Sequence, residues 1–156
     1  MFTRGIAGMM QRADIVVRQA APADCVRLSE ISAQAFSQPM TASEFERELS
    51  LSFSHTLLVQ ADGKTVGFVN VWSVYGEADL NNIAVDSAFR RMGLGQALLD
   101  AALELCHGCG SITLEVRASN SAAIAFYEKN GFTPLGRRKD FYEKPTEDAL
   151  IYRKPL

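Results

Sequence analysis

The stretch Arg90-Arg91-Met92-Gly93-Leu94-Gly95-Gln96 decides how this chain is interpreted. It follows a strand-like segment, Asn82-Ile83-Ala84-Val85, and it precedes an apolar run with helical spacing. A helix N-terminus has unpaired N–H groups and a partial positive charge, so it attracts phosphate oxygens. Glycine lacks a Cβ, which allows a large anion to approach the backbone closely. The stretch therefore indicates either a phosphate-binding helix N-terminus or an ordinary tight turn.

The spacing of these glycines excludes two other phosphate-binding motifs. A Walker A loop has Lys followed by Ser or Thr after its last glycine, whereas Gln96 follows Gly95. A dinucleotide fingerprint has three glycines spaced G-x-G-x-x-G, and Leu98 occupies the position of the third. If an anion binds at this turn, it therefore does so through a different motif.

Length and composition indicate one globular domain. The chain has 156 residues, of which 47% are apolar and 22% are charged, and its net charge is −2. We expect a single domain over residues 14–156 after a flexible N-terminal extension, residues 1–13. The absence of a basic stripe predicts no nucleic-acid partner. No apolar segment is long enough to cross a bilayer, so we expect no membrane partner and a cytoplasmic protein.

The cysteines predict neither a disulfide framework nor a metal site. There are three of them, Cys25, Cys106 and Cys109, and an odd number does not favour a set of disulfides. Cys106-His107-Gly108-Cys109 has the spacing C-x-x-C, but a structural zinc needs a second ligand pair. Only Cys25 and His55 remain for that role, and they lie far apart in the sequence. We therefore expect no metal cofactor.

Local signals predict the element order β-α-α-β-β-β-α-β-α-β-β. Thr41-x-x-Glu44 is a capping box at a helix start, and Asp62-Gly63 between β-rich runs predicts a hairpin. Apolar residues recur at helical spacing from Leu94 to Leu105. Asn120 is typical of a helix N-cap. The pattern predicts an α/β fold with mixed strand directions, including a three-strand antiparallel meander.

Three motifs together resemble those of a known family. Arg90–Gly95 matches Gln/Arg-x-x-Gly-x-Gly/Ala, the pyrophosphate-binding signature of the GNAT acetyltransferases. Leu114–Asn120 and Ala125–Phe132 are similar to blocks of the bacterial ribosomal-protein-alanine N-acetyltransferases, the RimI type. The resemblance extends over nearly all of the chain from Ile15 onward. It implies a mixed, mostly antiparallel sheet of about seven strands flanked by about four helices.

The resemblance implies acetyl-CoA as cosubstrate and assigns residues to it. The pantetheine arm would pair with the backbone of Ile83, Ala84 and Val85, and Asn120 would supply a side-chain amide. The diphosphate would lie on the N–H groups of Arg91, Met92, Gly93, Leu94, Gly95 and Gln96.

The resemblance also assigns two proton-transfer roles. Glu115 would remove the amine proton, acting through water, and Tyr127 would protonate or stabilise the departing thiolate. The residues alone leave alternatives open. Glu115 alternates with apolar neighbours along its strand and so is also compatible with a solvent-facing position. Tyr127 is also compatible with a place in the core.

The implied acceptor is the N-terminal alanine, or a similar small residue, of a ribosomal protein. A lysine side chain, a small-molecule amine and a non-catalytic acetyl-CoA sensor are the alternatives. One segment departs from the RimI type: Ala35-Phe36 is followed by Ser37-Gln38-Pro39 instead of Pro-Trp-Ser. Since this loop lines the acceptor side in that fold, the departure leaves the acceptor open.

The sequence ranks the remaining candidates lower. Glu77, Phe141 and Tyr142 are compatible with contacts to the substrate and equally with solvent or packing roles. Trp72 is expected in the core. A monomer or weak dimer is expected.

Overall fold

The computed structural model describes residues 14–156, so the predicted N-terminal extension lies outside the described residues. The order of elements is the predicted one. The strands are β1 (Ile15–Gln19), β2 (Ser54–Ala61), β3 (Lys64–Val74), β4 (Glu77–Val85), β5 (Ser111–Arg117), β6 (Thr133–Tyr142) and β7 (Glu147–Pro155). The helices are α1 (Cys25–Ala35), α2 (Ala42–Leu49), α3 (Leu94–Leu105) and α4 (Ser121–Lys129).

The seven strands form one sheet in the order β1-β2-β3-β4-β5-β7-β6. All neighbouring strands are antiparallel except β4 and β5, which are parallel and are connected through α3. This arrangement confirms the predicted mixed, mostly antiparallel sheet with four helices. The predicted meander is also confirmed, as β2, β3 and β4.

The local signals act as the sequence predicts. The hydroxyl of Thr41 accepts a hydrogen bond from the backbone of Glu44, whose carboxylate accepts one from the backbone of Thr41. Asp62 and Gly63 both have positive φ angles, 52° and 76°, as a tight hairpin turn between β2 and β3 requires. The capping box satisfies backbone groups that the start of α2 would otherwise leave unpaired.

Two hydrophobic clusters lie on opposite faces of the sheet. Alternation along a strand directs successive side chains to opposite faces, so Leu58 and Phe68 belong to one cluster and Val59 and Val69 to the other. The first cluster includes buried residues of α1 and α2. The second includes buried residues of α3 and Tyr127 of α4. The helices therefore cover both faces of the sheet. The sheet itself opens between β4 and β5.

The sheet opens because β4 and β5 are paired over only part of their length. Glu77–Leu80 pairs with Ser111–Leu114, and no pairing follows. The separation begins at a β-bulge: Asn70 of β3 pairs with Asn82 and Val71 pairs with Leu80, which leaves Asn81 as an extra residue. A bulge bends its strand and increases the local twist. We call the resulting gap, between residues 81–85 of β4 and 115–117 of β5, the opening.

Strand β6 is longer than the sequence indicates. A strand-like pattern is evident in the sequence only around Phe141 and Tyr142, whereas β6 begins at Thr133 and includes Pro134 and Gly136. Both residues are unfavourable inside a sheet, and Pro lacks a donor for the strand ladder. They are tolerated here because, within residues 14–156, β6 is an edge strand and pairs with β7 alone.

Candidate active site

A cavity of about 440 Å³ lies at the opening. Its wall brings together four residues that the sequence singles out from separate elements: Ile83 of β4, Glu115 of β5, and Asn120 and Tyr127 at α4. The predicted catalytic pair and part of the predicted cofactor set thus share one space. The residues of this wall that come from loops belong to the segment after α1 and the segment between β6 and β7.

The glycine turn before α3 has the geometry of an uncapped helix N-terminus. Gly93 is the N-cap residue in the left-handed region, with a φ of 76°, and it has no side chain to cap the helix. The first intrahelical bond is donated by Ala97 to the Gly93 carbonyl. The N–H groups of Leu94, Gly95 and Gln96 precede that bond and are the unpaired donors of the first turn.

The two glycines of the turn differ in what requires them. Gly93 has a backbone conformation that L-residues rarely adopt. Gly95 has no such constraint, and a Cβ built on it would meet no protein atom within 4 Å. Because glycine inside a helix is less favourable than alanine, nothing within the described protein explains Gly95. A Cβ built on Gly93 likewise meets no atom of residues 14–156 within 4 Å, so the space next to both glycines is free for a ligand.

Neighbouring side chains give the turn a basic and well-supported frame. Arg91 is exposed and has a positive φ of 64°, whereas Met92 is half-buried against the core. The Gln96 amide donates to Asn130 Oδ1 at 2.7 Å and accepts from Asn130 Nδ2 at 3.2 Å. This pair ties the start of α3 to the end of α4, on either side of the opening.

The second half of β4 has one free backbone edge. Val69 of β3 pairs with Ile83, and Phe68 and Gly67 pair with Ala84 and Val85. On the other side β5 has already diverged. Backbone N–H and C=O groups on that side are available to a strand-like ligand, which is the property that an amide-bearing pantetheine arm requires.

Asn120 caps α4, as the sequence predicts. Its Oδ1 accepts a hydrogen bond from the backbone of Ala123 at 3.2 Å. The cap uses the oxygen of the amide and leaves its NH₂ group as a donor beside the cavity. The position is therefore compatible with the predicted contact to the cofactor arm.

Tyr127 lies in the core at the inner wall of the cavity. It is 6% exposed, and its ring packs against Phe126 and Phe132 with centroid distances of 5.5 and 5.6 Å. Burial raises the pKa of its phenol well above the usual value, and the nearby Tyr142 raises it further. The phenol therefore stays protonated, and a hydrogen-bond donor, throughout the neutral range.

Glu115 approaches the same cavity from the opposite face of the sheet. Its neighbours Leu114 and Val116 belong to the core on the Tyr127 side, so Glu115 projects from the other face. Its side chain is 32% exposed, and its Oε2 lies 2.5 Å from Nε of Arg138 on β6. Glu115 and Tyr127 reach a common space only at the opening, because elsewhere the sheet lies between them.

A second cavity of about 470 Å³ continues from the first on the Glu115 face. Phe141 and Tyr142 line it, which favours their role as a wall over simple packing. Trp72 lines it as well and is only half-buried, so the expectation that it lies in the core is wrong. Its Nε1 donates to Glu48 of α2 at 2.8 Å, a bond that fixes the ring next to that helix.

The acidic residue of β4 that lines this cavity is Asp79, and Glu77 lines neither cavity. Burial raises the pKa of the Asp79 carboxyl, and Glu77 adds to the effect. Burial also raises the pKa of Tyr142 to about 12, with a further contribution from the charge of Glu115. The raised pKa values of Asp79 and Tyr142 indicate that the second cavity is partly desolvated. Glu115, the predicted base, lies in its wall.

The sequence does not single out four charged residues at the site: Asp79, Arg117, Arg138 and Lys144. The spacing of Glu115 and Arg117, two residues apart on β5, was the available signal, since it places both on one face. Asp79 and Arg138 come from strands whose register with β5 the sequence does not specify. Their proximity to Glu115 therefore required the structure.

Over residues 14–156, no three His, Cys, Asp or Glu side chains are grouped so that they could hold a metal ion. Cys25, Cys106 and Cys109 are buried free thiols. In the same part of the chain, no helix has the length and apolar character needed to span a membrane.

Comparison with known proteins agrees with this geometry. The family model of the acetyltransferase (GNAT) family matches residues 25–132, which includes the glycine turn, the opening and Tyr127. The chain belongs to the GNAT acetyltransferase family. The extent of the whole domain, residues 14–156, stays a prediction.

Relatives within this family carry a more specific name. The N-alpha-acetyltransferase RimI of Mycobacterium tuberculosis is 34% identical, over 85% of this chain and 87% of that protein. The [ribosomal protein bS18]-alanine N-acetyltransferase of Escherichia coli is 44% identical, over 61% of this chain and 67% of that protein.

A solved structure supports the same relationship. The crystal structure of the ribosomal-protein-S18-alanine N-acetyltransferase from Escherichia coli superimposes with a TM-score of 0.85 at 32% identity. The match covers 91% of this chain and 94% of that one. Similarity to the RimI type thus extends over nearly the whole described fold, as the sequence motifs indicate.

Proposed function

We propose that this GNAT enzyme transfers an acetyl group from acetyl-CoA to the N-terminal α-amino group of a protein, with alanine or a similar small residue first and a ribosomal protein as the natural acceptor. The observation that carries the proposal is the opening. It joins Glu115 and Tyr127, from opposite faces of the sheet, in one cavity, and an uncapped glycine turn begins the helix that follows β4. The names of the relatives support the choice of acceptor.

The backbone holds the cosubstrate in this proposal. The N–H groups from Arg91 to Gln96 receive the diphosphate, and the free edge of Ile83–Val85 receives the amides of the pantetheine arm. The Asn120 amide donates to the same arm. Acetyl-CoA supplies an acyl carbon that an amine attacks directly, and fixing it at the opening supplies much of the acceleration.

Glu115 handles the proton of the acceptor. An α-amino group has a pKa of about 7.7–8.0, so most of it is protonated at neutral pH and only the neutral form attacks. The Glu115 carboxylate accepts the proton through water as the new N–C bond forms. Its partial exposure leaves room for that water, and Asp79 adds a second carboxyl group to the region that the ammonium must approach.

Tyr127 acts on the leaving group. Its buried phenol donates a hydrogen bond to the sulfur atom as negative charge develops there. A raised phenol pKa opposes complete transfer of the proton to a thiolate, whose conjugate acid has a pKa of about 8.5. Stabilisation of the thiolate by a retained hydrogen bond is therefore the stronger form of this role.

A peptide panel tests the acceptor. Purified enzyme is incubated with labelled acetyl-CoA and peptides that differ only in the first residue, each with an internal lysine and with a matched version blocked at the N-terminus. We expect label at the α-amino group, strongest for alanine and serine, and none in the blocked set. Label at lysine in the blocked peptides, or equal labelling of a small-molecule amine, would contradict the proposal.

Calorimetry separates cofactor binding from catalysis. Coenzyme A should bind the wild type and the Tyr127→Phe variant equally, because the substitution removes a donor and little contact area. Gly93→Glu should abolish binding, because it adds bulk and negative charge where phosphate oxygens must lie. Binding of coenzyme A by every variant without transfer to any amine would favour a non-catalytic sensor.

A further inference from the structure

Arg117 joins two loops that close over the first cavity. We call them the rim loops: residues 36–41, between α1 and α2, and residues 143–146, between β6 and β7. One terminal nitrogen of Arg117 donates to Ser37 Oγ at 3.1 Å and to the Glu143 carbonyl at 2.8 Å. The other donates to the Pro145 carbonyl at 2.9 Å. A single side chain thus connects segments that are far apart in the sequence.

The same guanidinium also organises the wall behind the loops. It lies 4.6 Å from the ring centroid of Tyr142, which lines both cavities. It forms an ion pair with Glu147 at 3.2 Å, and the other oxygen of that carboxylate accepts from the backbone of Ser119 at 2.6 Å. Ser119 precedes the α4 cap residue Asn120. The contacts of Arg117, through Glu147, therefore connect the rim loops to the segment that precedes α4.

Only a guanidinium suits this arrangement. Arg117 is two residues from Glu115 on the same face of β5, and its side chain is 23% exposed, so most of it is desolvated. Arginine has five N–H donors in a rigid planar fork, whereas lysine has one compact ammonium group. A lysine at this position would reach one partner and leave the carbonyls of the other loop unpaired.

We propose that Arg117 is a positioning residue for acceptor binding, which holds both rim loops and Tyr142 as one preformed wall. This role rests on the function proposed above, because the ligand that the rim loops would receive is the acceptor peptide of that function. Preorganisation removes the entropy cost of ordering two loops when a peptide binds. Loss of Arg117 should therefore weaken acceptor binding more than it slows the transfer step.

Arg117→Lys keeps the charge and removes the fork. We expect the KM of the preferred peptide to rise about 10-fold, as the loss of several partly buried hydrogen bonds implies. The kcat should change less than about 3-fold, and the Kd of coenzyme A less than about 2-fold, because no group that touches the reacting atoms is altered. Hydrogen exchange of the free enzyme should increase in both rim loops.

Two variants provide controls. Ser37→Ala removes one partner in one loop, so it should raise exchange over residues 36–41 alone and raise KM by a smaller factor. Arg137→Lys makes the same substitution on β6, where the arginine is exposed and pairs with Asp148. It should leave KM and loop exchange unchanged.

Two results would overturn this role of Arg117. One is an active Arg117→Lys variant with the wild-type KM for peptide. The other is unchanged exchange in either rim loop, a readout that does not depend on catalysis. If the wild-type enzyme modifies no N-terminal peptide, the proposed function fails, and the acceptor part of this inference fails with it.

Discussion

The two halves of the β4–β5 pair differ although they belong to the same strands. In the paired half, Glu77–Leu80 against Ser111–Leu114, the inward side chains are apolar and buried. In the second half, the open half, residues 81–85 and 115–117 lie apart, and residues 81–83 and 115–117 border a cavity. We call the paired half the closed half. The first half is a product of packing, and the second leaves backbone groups and charged side chains free for ligands. Stability and chemistry are thus separated within one pair of strands.

The boundary between the halves depends on a buried polar residue. Asn70 is 2% exposed, and its amide NH₂ donates to Ser54 Oγ at 2.9 Å and Thr56 Oγ1 at 3.0 Å. Its oxygen accepts from Asn81 Nδ2, the bulged residue of β4, at 2.9 Å. A buried amide is costly unless it is fully bonded, so this network favours the bulge at Asn81 over regular pairing.

The largest expected effect is that of Tyr127→Phe, in the wall of the cavity that the open half borders. If the phenol stabilises the departing thiolate, kcat should fall about 1000-fold, which corresponds to about 4 kcal/mol in the barrier. The melting temperature should change little, since the ring and its packing remain. Steady-state kinetics and thermal unfolding of the same preparation measure the two quantities.

The pH dependence of kcat, compared between the wild type and Tyr127→Phe, sharpens the test of the Tyr127 role. Because the pKa of Tyr127 is raised, its donor form persists on the alkaline side, and it is lost only as pH rises through that higher pKa. The kcat profile of the wild type should therefore show no descending limb from this residue below about pH 10, the usual tyrosine pKa. A limb near pH 8 that disappears in Tyr127→Phe would contradict the assignment.

Leu114→Ala is the corresponding test in the closed half. Leu114 is 3% exposed within the cluster beneath α3 and α4, so the substitution should lower the free energy of unfolding by about 3 kcal/mol. The folded fraction should keep its affinity for coenzyme A. Urea unfolding measures the loss, and Glu104→Ala on the exposed side of α3 should leave the free energy unchanged. An equal loss in both variants would show that the closed half is not set by packing.

The turns and helix starts outside the opening are the part of the fold that the sequence predicts well. Turn signals such as Asp62-Gly63, the Thr41 capping box and the helical spacing from Leu94 act locally, so their structures follow from a few adjacent residues. The resemblance to a family adds Glu115 and Tyr127, which the structure brings to one cavity. The element order therefore needs no knowledge of distant contacts.

The positions that the sequence does not predict lie at the opening and in the strands around it. The bulge at Asn81 depends on Asn70, from another strand, and the pairing of Glu115 with Arg138 depends on the register of β6 with β7. Trp72 is a residue type that is typical of cores, but it is only half-buried and lines a cavity. Long-range register decides each of these positions, and hydrophobic periodicity carries no information about it.

Asn70→Ala breaks the boundary between the halves. It leaves Asn81, Ser54 and Thr56 without a shared partner, so we expect a loss of about 2 kcal/mol in unfolding free energy. Catalytic efficiency should also fall, because the bulge no longer has a fixed position. Thr56→Val is the matched control, since it removes one bond of Asn70 but keeps the bond to Asn81. Equal activity of the two variants would mean that Asn70 contributes stability without shaping the opening.

Gly95→Ala is expected to have the smallest effect. It should raise the stability of the free enzyme and lower its affinity for coenzyme A. Alanine is better than glycine inside a helix by up to about 1 kcal/mol. A Cβ at this position meets no protein atom, so the free enzyme should become slightly more stable, by about 0.5 kcal/mol or more. The same Cβ occupies the space assigned to the diphosphate, so coenzyme A should bind about 10-fold more weakly. Thermal unfolding and calorimetry together provide the test: a stabilised variant with undiminished affinity would mean that the diphosphate does not lie over the first turn of α3.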